Sequence, residues 1–391
     1  MKYYQKNMFF NYVYEFLLNL DFSRIIWPTY LILKGYNLID VGICESIFHV
    51  TSFICEMPTG AISDLYGRRF SRLCGRIIHL FSLICLLFAQ NIFYSYLSFI
   101  LSALSYNMES GTDSAYVYDL MKSQNKEKTF AKVQGYREMI IQIAMLGGVM
   151  IGGFLTDRSY QLTYFISIIL GVVTIFILMQ TSEIKNHHYV KQKIFKSMIG
   201  QYQTSISLLK QNHNILLLML CQAIFSASLT TFHYYLTNYY KGLNIQMSHI
   251  SMILSLENIA GILGGLVTYR IMQKLSQRSI LIFIPLMIVL SAFFIPVFPF
   301  SIIALVTMGF SESIIYVSTT TFLNQLIESQ YRATLLSCSS MIFSLVMIIF
   351  FPLVGLFGDV FSLKTAFFIL AGFLVLNYVI YVYFVEKVRV H

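Results

Sequence analysis

Charge is what this sequence has least of. Of its 391 residues, 12% are Asp, Glu, Lys or Arg, about half the share usual in soluble domains, while 57% are hydrophobic. That balance excludes an ordinary water-soluble globular protein. Cysteine is sparse too: Cys44, Cys55, Cys74, Cys85, Cys221 and Cys338 fall within or at the ends of apolar segments, with no Cys-x-x-Cys pair. They read as small membrane hydrophobes, neither a disulfide framework nor metal ligands. There is no Walker A loop, no His-Glu-x-x-His, no Gly-x-Ser-x-Gly and no His/Cys cluster, so none of the chemistries those motifs support is expected. The loops are too short for a soluble catalytic domain. The expectation is a chain that is no enzyme, with no cofactor and no metal.

What is present is a series of long apolar runs. A helix needs about 20 mainly apolar residues to cross a bilayer, and twelve segments qualify: 8–33, 41–65, 73–92, 95–121, 133–156, 161–181, 213–240, 247–272, 279–297, 300–326, 334–357 and 362–385. This predicts an all-α membrane protein with twelve transmembrane helices. The N-terminus is short and basic, and the run after it has no small-x-small cleavage site, so it reads as a retained first span rather than a signal peptide. With the N-terminus in the cytoplasm, only Lys34, Arg158, Lys241 and Lys364 fall outside, and Arg24 and Arg137 fall inside helices. The rest of the 27 Lys and Arg, including Arg68, Arg69, Arg72 and Arg76, collect on the inner side. That asymmetry predicts both termini in the cytoplasm. It also accounts for the net charge of +9 through basic loops facing anionic lipid, without nucleic acid.

The longest loop, 182–212, divides the chain into a six-helix bundle at 1–181 and another at 213–391. In it Val190, Ile194, Met198, Tyr202 and Ile206 recur beside Lys191, Lys193 and Lys196. That pattern suits an amphipathic helix on the inner leaflet, with a solvated tether the alternative for its first third. The halves repeat. Glu56 matches Glu257 and Arg69 matches Arg270 at an offset of 201, Glu109-Ser110 matches Glu312-Ser313 at 203, and Gly153-x-x-x-Asp157 matches Gly355-x-x-x-Asp359 at 202. An even number of spans separates the copies, so the repeats are parallel, an architecture whose substrate site lies near the midplane.

At the turn after the second span the chain reads Gly60-x-x-x-Asp64-x-x-Gly67-Arg68-Arg69. Here, and in its twelve spans, repeat and central loop, the sequence resembles the major facilitator superfamily. The Ile54-to-Gly60 lead-in and Arg332-Ala333-Thr334 are similar to a bacterial branch of drug exporters, which implies a bacterial cell membrane. Leu65 replaces a residue often basic in the family, the second-half loop has lost the aspartate, span four lacks the antiporter arginine, and span five has Gly147, Gly148, Gly152 and Gly153 without a Gly-Pro. The resemblance implies a cytoplasmic gate, with Asp64 facing the positive N-terminus of span eleven near Thr334. Gly60 would allow close helix approach and Gly67 the turn. Arg68 and Arg69 would pair with carboxylates or lipid phosphates, or only set topology.

Charges within a span are costly, about 2.5–3.5 kcal/mol on insertion scales, so each needs a reason. Asp21 and Arg24, three apart, share a helix face and either neutralise each other or serve coupling. Arg137 is a candidate partner for Asp113 or Asp119. Glu109 and Glu312 sit mid-span with no basic residue nearby in sequence. A buried carboxylate of that kind can bind and release a proton, or be held protonated by a Ser, Asn or Tyr. Asp21, Arg24, Glu109, Asp113 and Glu312 are therefore the coupling or substrate candidates. Glu56 and Glu257 read as helix-packing hydrogen-bond partners. Tyr30, Phe232 and His233 are expected as cavity aromatics that could face a lipophilic cation, with packing residues the alternative. Together these readings predict a secondary active transporter working by alternating access, proton-driven and exporting a small lipophilic compound, cationic or not. Nutrient uptake, lipid flipping or a fluxless receptor on the same fold are the rivals. The expected partners are that substrate, protons and the lipid bilayer, with the chain a monomer.

Overall fold

The computed structural model describes residues 2–126, 129–183, 213–326 and 332–387. The amphipathic helix expected from Val190 to Ile206 lies outside them. The described residues form helices and no strand. In chain order these are α1 (Lys2–Asn19), α2 (Trp27–Leu33), α3 (Leu38–Tyr66), α4 (Arg68–Leu87), α5 (Ile92–Glu109), α6 (Thr112–Lys122), α7 (Phe130–Arg158) and α8 (Tyr160–Met179). The second half adds α9 (His213–Gly242), α10 (Met247–Lys274), α11 (Gln277–Ala292), α12 (Phe300–Leu326), α13 (Arg332–Val360) and α14 (Leu363–Lys387).

The fourteen described helices make twelve spans because two spans are broken. Span one stops at Asn19 and restarts at Trp27, where Pro28 occupies the first turn, the one helical position that tolerates its missing N–H. Span four breaks between Glu109 and Thr112, with Gly111 at φ 73° in the left-handed region that glycine enters at little cost. Nine of the described helices are long and apolar enough to cross a membrane, and α11 is a shorter apolar helix. The two broken spans complete the set.

Contacts divide the chain into two compact units. The first takes its described residues from Met1–Tyr30, Ile47–Met198 and Gln246–Ser251. In it α4 packs on α5 and α8, and α1 on α7 and α8. The buried residues of α4 recur at helical spacing as Ser71, Arg72, Gly75, Arg76, Ser82, Leu83 and Leu86, so its inward face is polar at the start and apolar at the end. The glycine-rich middle of α7 serves the break in span one. A Cβ on Gly148 would lie 2.9 Å from the Asp21 backbone, and one on Gly152 would overlap the Phe22 carbonyl.

The second unit takes its described residues from Leu31–Ser46, Ile199–Ile245 and Met252–His391. Here α9 packs on α13 and α14, and α11 on α12 and α14. The buried stripe of α14 is Ala366, Phe367, Leu370, Ala371, Leu374, Asn377, Tyr381 and Val385, an almost wholly apolar face of period 3.6. Its one amide, Asn377, donates to the Cys221 carbonyl at 3.1 Å. The buried arginines Arg72, Arg76 and Arg137 all lie in the first unit, and that difference locates the site.

Candidate functional site

Within the first unit, helices α1, α4, α6 and α7 and the end of α5 bring acids and guanidinium groups together. Arg137 of α7 is 1% exposed. Its Nε donates to both oxygens of Glu15 at 2.8 and 2.9 Å. Its Nη2 lies 2.7 Å from Glu15 Oε1 and 2.8 Å from Asp113 Oδ2. Its Nη1 donates to Gln134 Oε1 and to Ser114 Oγ. Every nitrogen of the planar fork is used, the arrangement in which a buried ion pair is best compensated.

Arg72 of α4, fully buried, is held differently. Its guanidinium lies over the Tyr14 ring at 4.2 Å and the Tyr116 ring at 5.2 Å, and Nη1 donates to Asn11 Oδ1 at 2.8 Å. Its Nε is 3.7 Å from Glu109 Oε2, within ion-pair range but too long for a hydrogen bond. Among the described residues Arg72 Nε and Nη2 and Glu109 Oε2 have no hydrogen-bond partner, while Tyr14 donates its hydroxyl to Glu109 Oε1. Asn11 joins the two arginine centres, since its amide nitrogen donates to Glu15 Oε1 at 2.7 Å. One centre is saturated and fixed. The other carries a charge pair with unused donors and acceptors beside the break in span four.

This placement corrects several expectations. Glu109 is not without a cation; its partner is Arg72, 37 residues earlier. Arg72 does not precede its span, because α4 begins at Arg68 rather than near residue 73. Arg137 does pair with Asp113, and it also engages Glu15. Asp21 and Arg24 form no pair among the described residues: they fall in the broken part of span one, where an i,i+3 face does not exist. Asp21 Oδ1 instead accepts from the backbone N–H and hydroxyl of Ser23 at 2.8 and 2.7 Å, and Arg24 is exposed. Tyr30 and Phe232 are packing residues. Tyr30 stacks on Tyr160 and tilts against Tyr164, and Phe232 sets its edge on Phe367. Glu56 is exposed and not the packing partner expected.

In the second unit, Glu312 accepts from Ser226 at 2.8 Å, the hydroxyl partner foreseen as the alternative to a cation. His233 Nδ1 lies 2.6 Å from Glu257 Oε2, so this histidine and the second-half packing glutamate bind each other.

At the turn motif, Asp64 pairs with Arg68 at 2.8 Å, and Arg68 also reaches Ser63 at 3.0 Å and Asp119 at 3.8 Å. Arg69 donates to the Met179 carbonyl at 2.8 Å. The side chains at the start of α13, expected opposite Asp64, lie outside the described residues. A Cβ on Gly60 would meet nothing described within 4 Å. Gly67 does make the turn, at φ 106°. Sequence reasoning missed Glu183. Its carboxylate accepts from the N–H groups of Arg69 and Phe70 at 3.3 and 3.1 Å, capping α4, and a Cβ on Gly67 would stand 2.5 Å from it. The signal was available: a helix opening on Arg68-Arg69 puts cations at its positive end and needs an outside acceptor.

A sequence model of the Major Facilitator Superfamily matches residues 16–327 and again 218–391. The chain belongs to the Major Facilitator Superfamily. An uncharacterised MFS-type transporter of Bacillus subtilis, YxaM, is 20% identical over 91% of this chain and 90% of its own length. The quinolone resistance protein NorA of Staphylococcus aureus is 25% identical over 43% of each chain. Among solved structures, the nucleoside transporter NupG superposes with a TM-score of 0.78 at 11% identity, covering 98% of this chain and 99% of its own, which shows the fold. The protein is thus a multi-pass membrane transporter of twelve spans with the superfamily's fold.

Proposed function

We propose that this superfamily member is a proton-coupled exporter of small lipophilic compounds, cations included, resident in a bacterial cell membrane with both termini in the cytoplasm. The observation that carries the reading is the Arg72–Glu109 centre. With Glu109 ionised, its charge holds the Arg72 guanidinium and receives the Tyr14 hydroxyl. A proton on Glu109 cancels the attraction and leaves Arg72 to Asn11 and the two tyrosine rings. A cationic substrate near Glu109 competes with that proton for one negative charge, which is the requirement for exchange. The break at Gly111 directly follows, so α5 and α6 can tilt separately as the charge changes. Asp113, held by Arg137, positions the network, and Asp21 and Glu312 are secondary proton or substrate sites. Asp64, Gly67, Arg68 and Arg69 form the cytoplasmic gate. The similarity to NorA, named for quinolone resistance, supports a drug-like cargo.

The test is dye or drug uptake into everted membrane vesicles. Uptake should collapse with a protonophore and be lost in Glu109→Gln. Uptake that survives both treatments refutes the coupling, and accumulation rather than extrusion by whole cells refutes the direction.

A further inference from the structure

Of the three buried arginines among the described residues, the network holds two and leaves out Arg76. Arg76 is 6% exposed, and its Nε is buried without a partner. Among the described residues it forms neither an ion pair nor a hydrogen bond. It stands one turn after Arg72 on the inward face of α4, with Gly75 between them. A Cβ on Gly75 would lie 3.2 Å from Met108 Cβ, 3.3 Å from the Ser105 carbonyl and 3.5 Å from Glu109 Cγ, so the end of α5 is held against this turn. The charge of Arg76 is felt at Glu109 and Tyr14, yet the Glu109 oxygens are directed to Tyr14 and Arg72. His79, three residues on and so on the same face, sets a partly buried imidazole beside Arg76 and within the field of Asp21. Two guanidinium groups therefore share one carboxylate, and the second keeps its donors unused.

A cation taken out of water without a partner is costly, and an engaged oxyanion offsets that cost. The planar fork of an arginine is shaped to hold a carboxylate by two parallel N–H bonds. Glu109, beside it, presents the opposite sign. A molecule at this corner of the first unit thus meets a positive and a negative anchor side by side, both on elements that pack within that unit.

We propose that Arg76 anchors the carboxylate of an amphiphilic zwitterion whose cationic nitrogen takes the place of the proton on Glu109. The proposal rests on the exchange reading of Glu109 and narrows its cargo, from lipophilic compounds in general to those that also carry an acid. Such a molecule adds no net charge to the buried site and gives Arg76 the partner it lacks.

Equilibrium binding to the full chain in lipid nanodiscs, read by fluorescence anisotropy and corrected with empty discs, tests this with a matched pair of dyes. Rhodamine B has a free carboxylate and is a zwitterion at neutral pH; its ethyl ester is a cation of nearly the same shape. The parent protein should bind the acid about tenfold more tightly than the ester. Arg76→Met should erase that preference by weakening the acid alone. Arg76→Lys, which keeps the charge and loses the fork, should keep part of it. Because Arg76 has no partner to strand, Arg76→Met should also melt no lower than the parent. A parent with no preference for the acid overturns the anchor, and so does an Arg76→Met protein that weakens both dyes alike. An Arg76→Met midpoint well below the parent's marks a structural cation and overturns it too. Binding needs no proton gradient. If the acid preference follows Arg76 while uptake into everted vesicles ignores the protonophore, the export reading falls and the acid anchor stands.

Discussion

Replacing Arg137 with methionine removes the cation shared by Glu15 and Asp113 while keeping a side chain of similar length. Arg137 and Glu15 are each 1% exposed, so the carboxylate left behind has little access to water and retains only the Asn11 amide. Breaking a buried pair by deleting one partner costs about 3–5 kcal/mol. For a cooperative unit of 150–250 residues each kcal/mol moves the midpoint by about 2–4 °C, so the loss should be on the order of 10 °C. The assay is thermal unfolding of the purified protein in detergent at one fixed scan rate, because such transitions are often irreversible. The decisive companion is the double variant Glu15→Met with Arg137→Met. Replacing a whole buried pair by apolar groups is often nearly neutral, so the double variant should regain most of the lost stability. An Arg137→Met protein within 2 °C of the parent, or a double variant no better than the single, would refute the assignment of this pair as a buried, mutually dependent centre.

Glu183→Ala should remove the cap on α4, costing about 1 kcal/mol and raising amide exchange at Arg69 and Phe70; unchanged protection there would show that Gly67 alone organises the turn. Asp64→Ala should leave the unfolding midpoint nearly unmoved, since the Asp64–Arg68 pair is partly exposed and such pairs contribute under about 1 kcal/mol. Transport should nevertheless fall sharply if Asp64 is a gate, and a variant that transports normally removes it from that role. Glu257→Leu should strand the ring nitrogen of the partly buried His233, a loss of about 1 kcal/mol in the same melting assay, and adding His233→Leu should recover part of it.

The spans and the six-plus-six repeat were legible in the sequence because hydropathy and repeat offset are local or periodic signals. The site was legible only in its parts. Glu109, Asp113 and Arg137 declare themselves as charges in apolar runs, but Glu15 lies 122 residues from Arg137, and no spacing rule joins them. Arg72 was hidden by the hydropathy signal itself, since arginines push the apparent start of a span outward while the helix continues through them. Asp21 and Arg24 misled because a face argument assumes an unbroken helix, and the chain leaves the helix at Asn19. Phe232 and His233 show the limit of grouping neighbours: adjacent helical residues point about 100° apart, one to the core and the other to Glu257.

The clamp by Glu183 bears on how the protein can be divided. Glu183 comes after the sixth span, yet the N–H groups it holds belong to the third. A polypeptide severed anywhere from residue 184 to 212 leaves the acid, the Gly67 turn and the arginines on one fragment. The amino-terminal piece therefore carries its own fastening at that corner, and two separately expressed fragments need not exchange any residue to complete it.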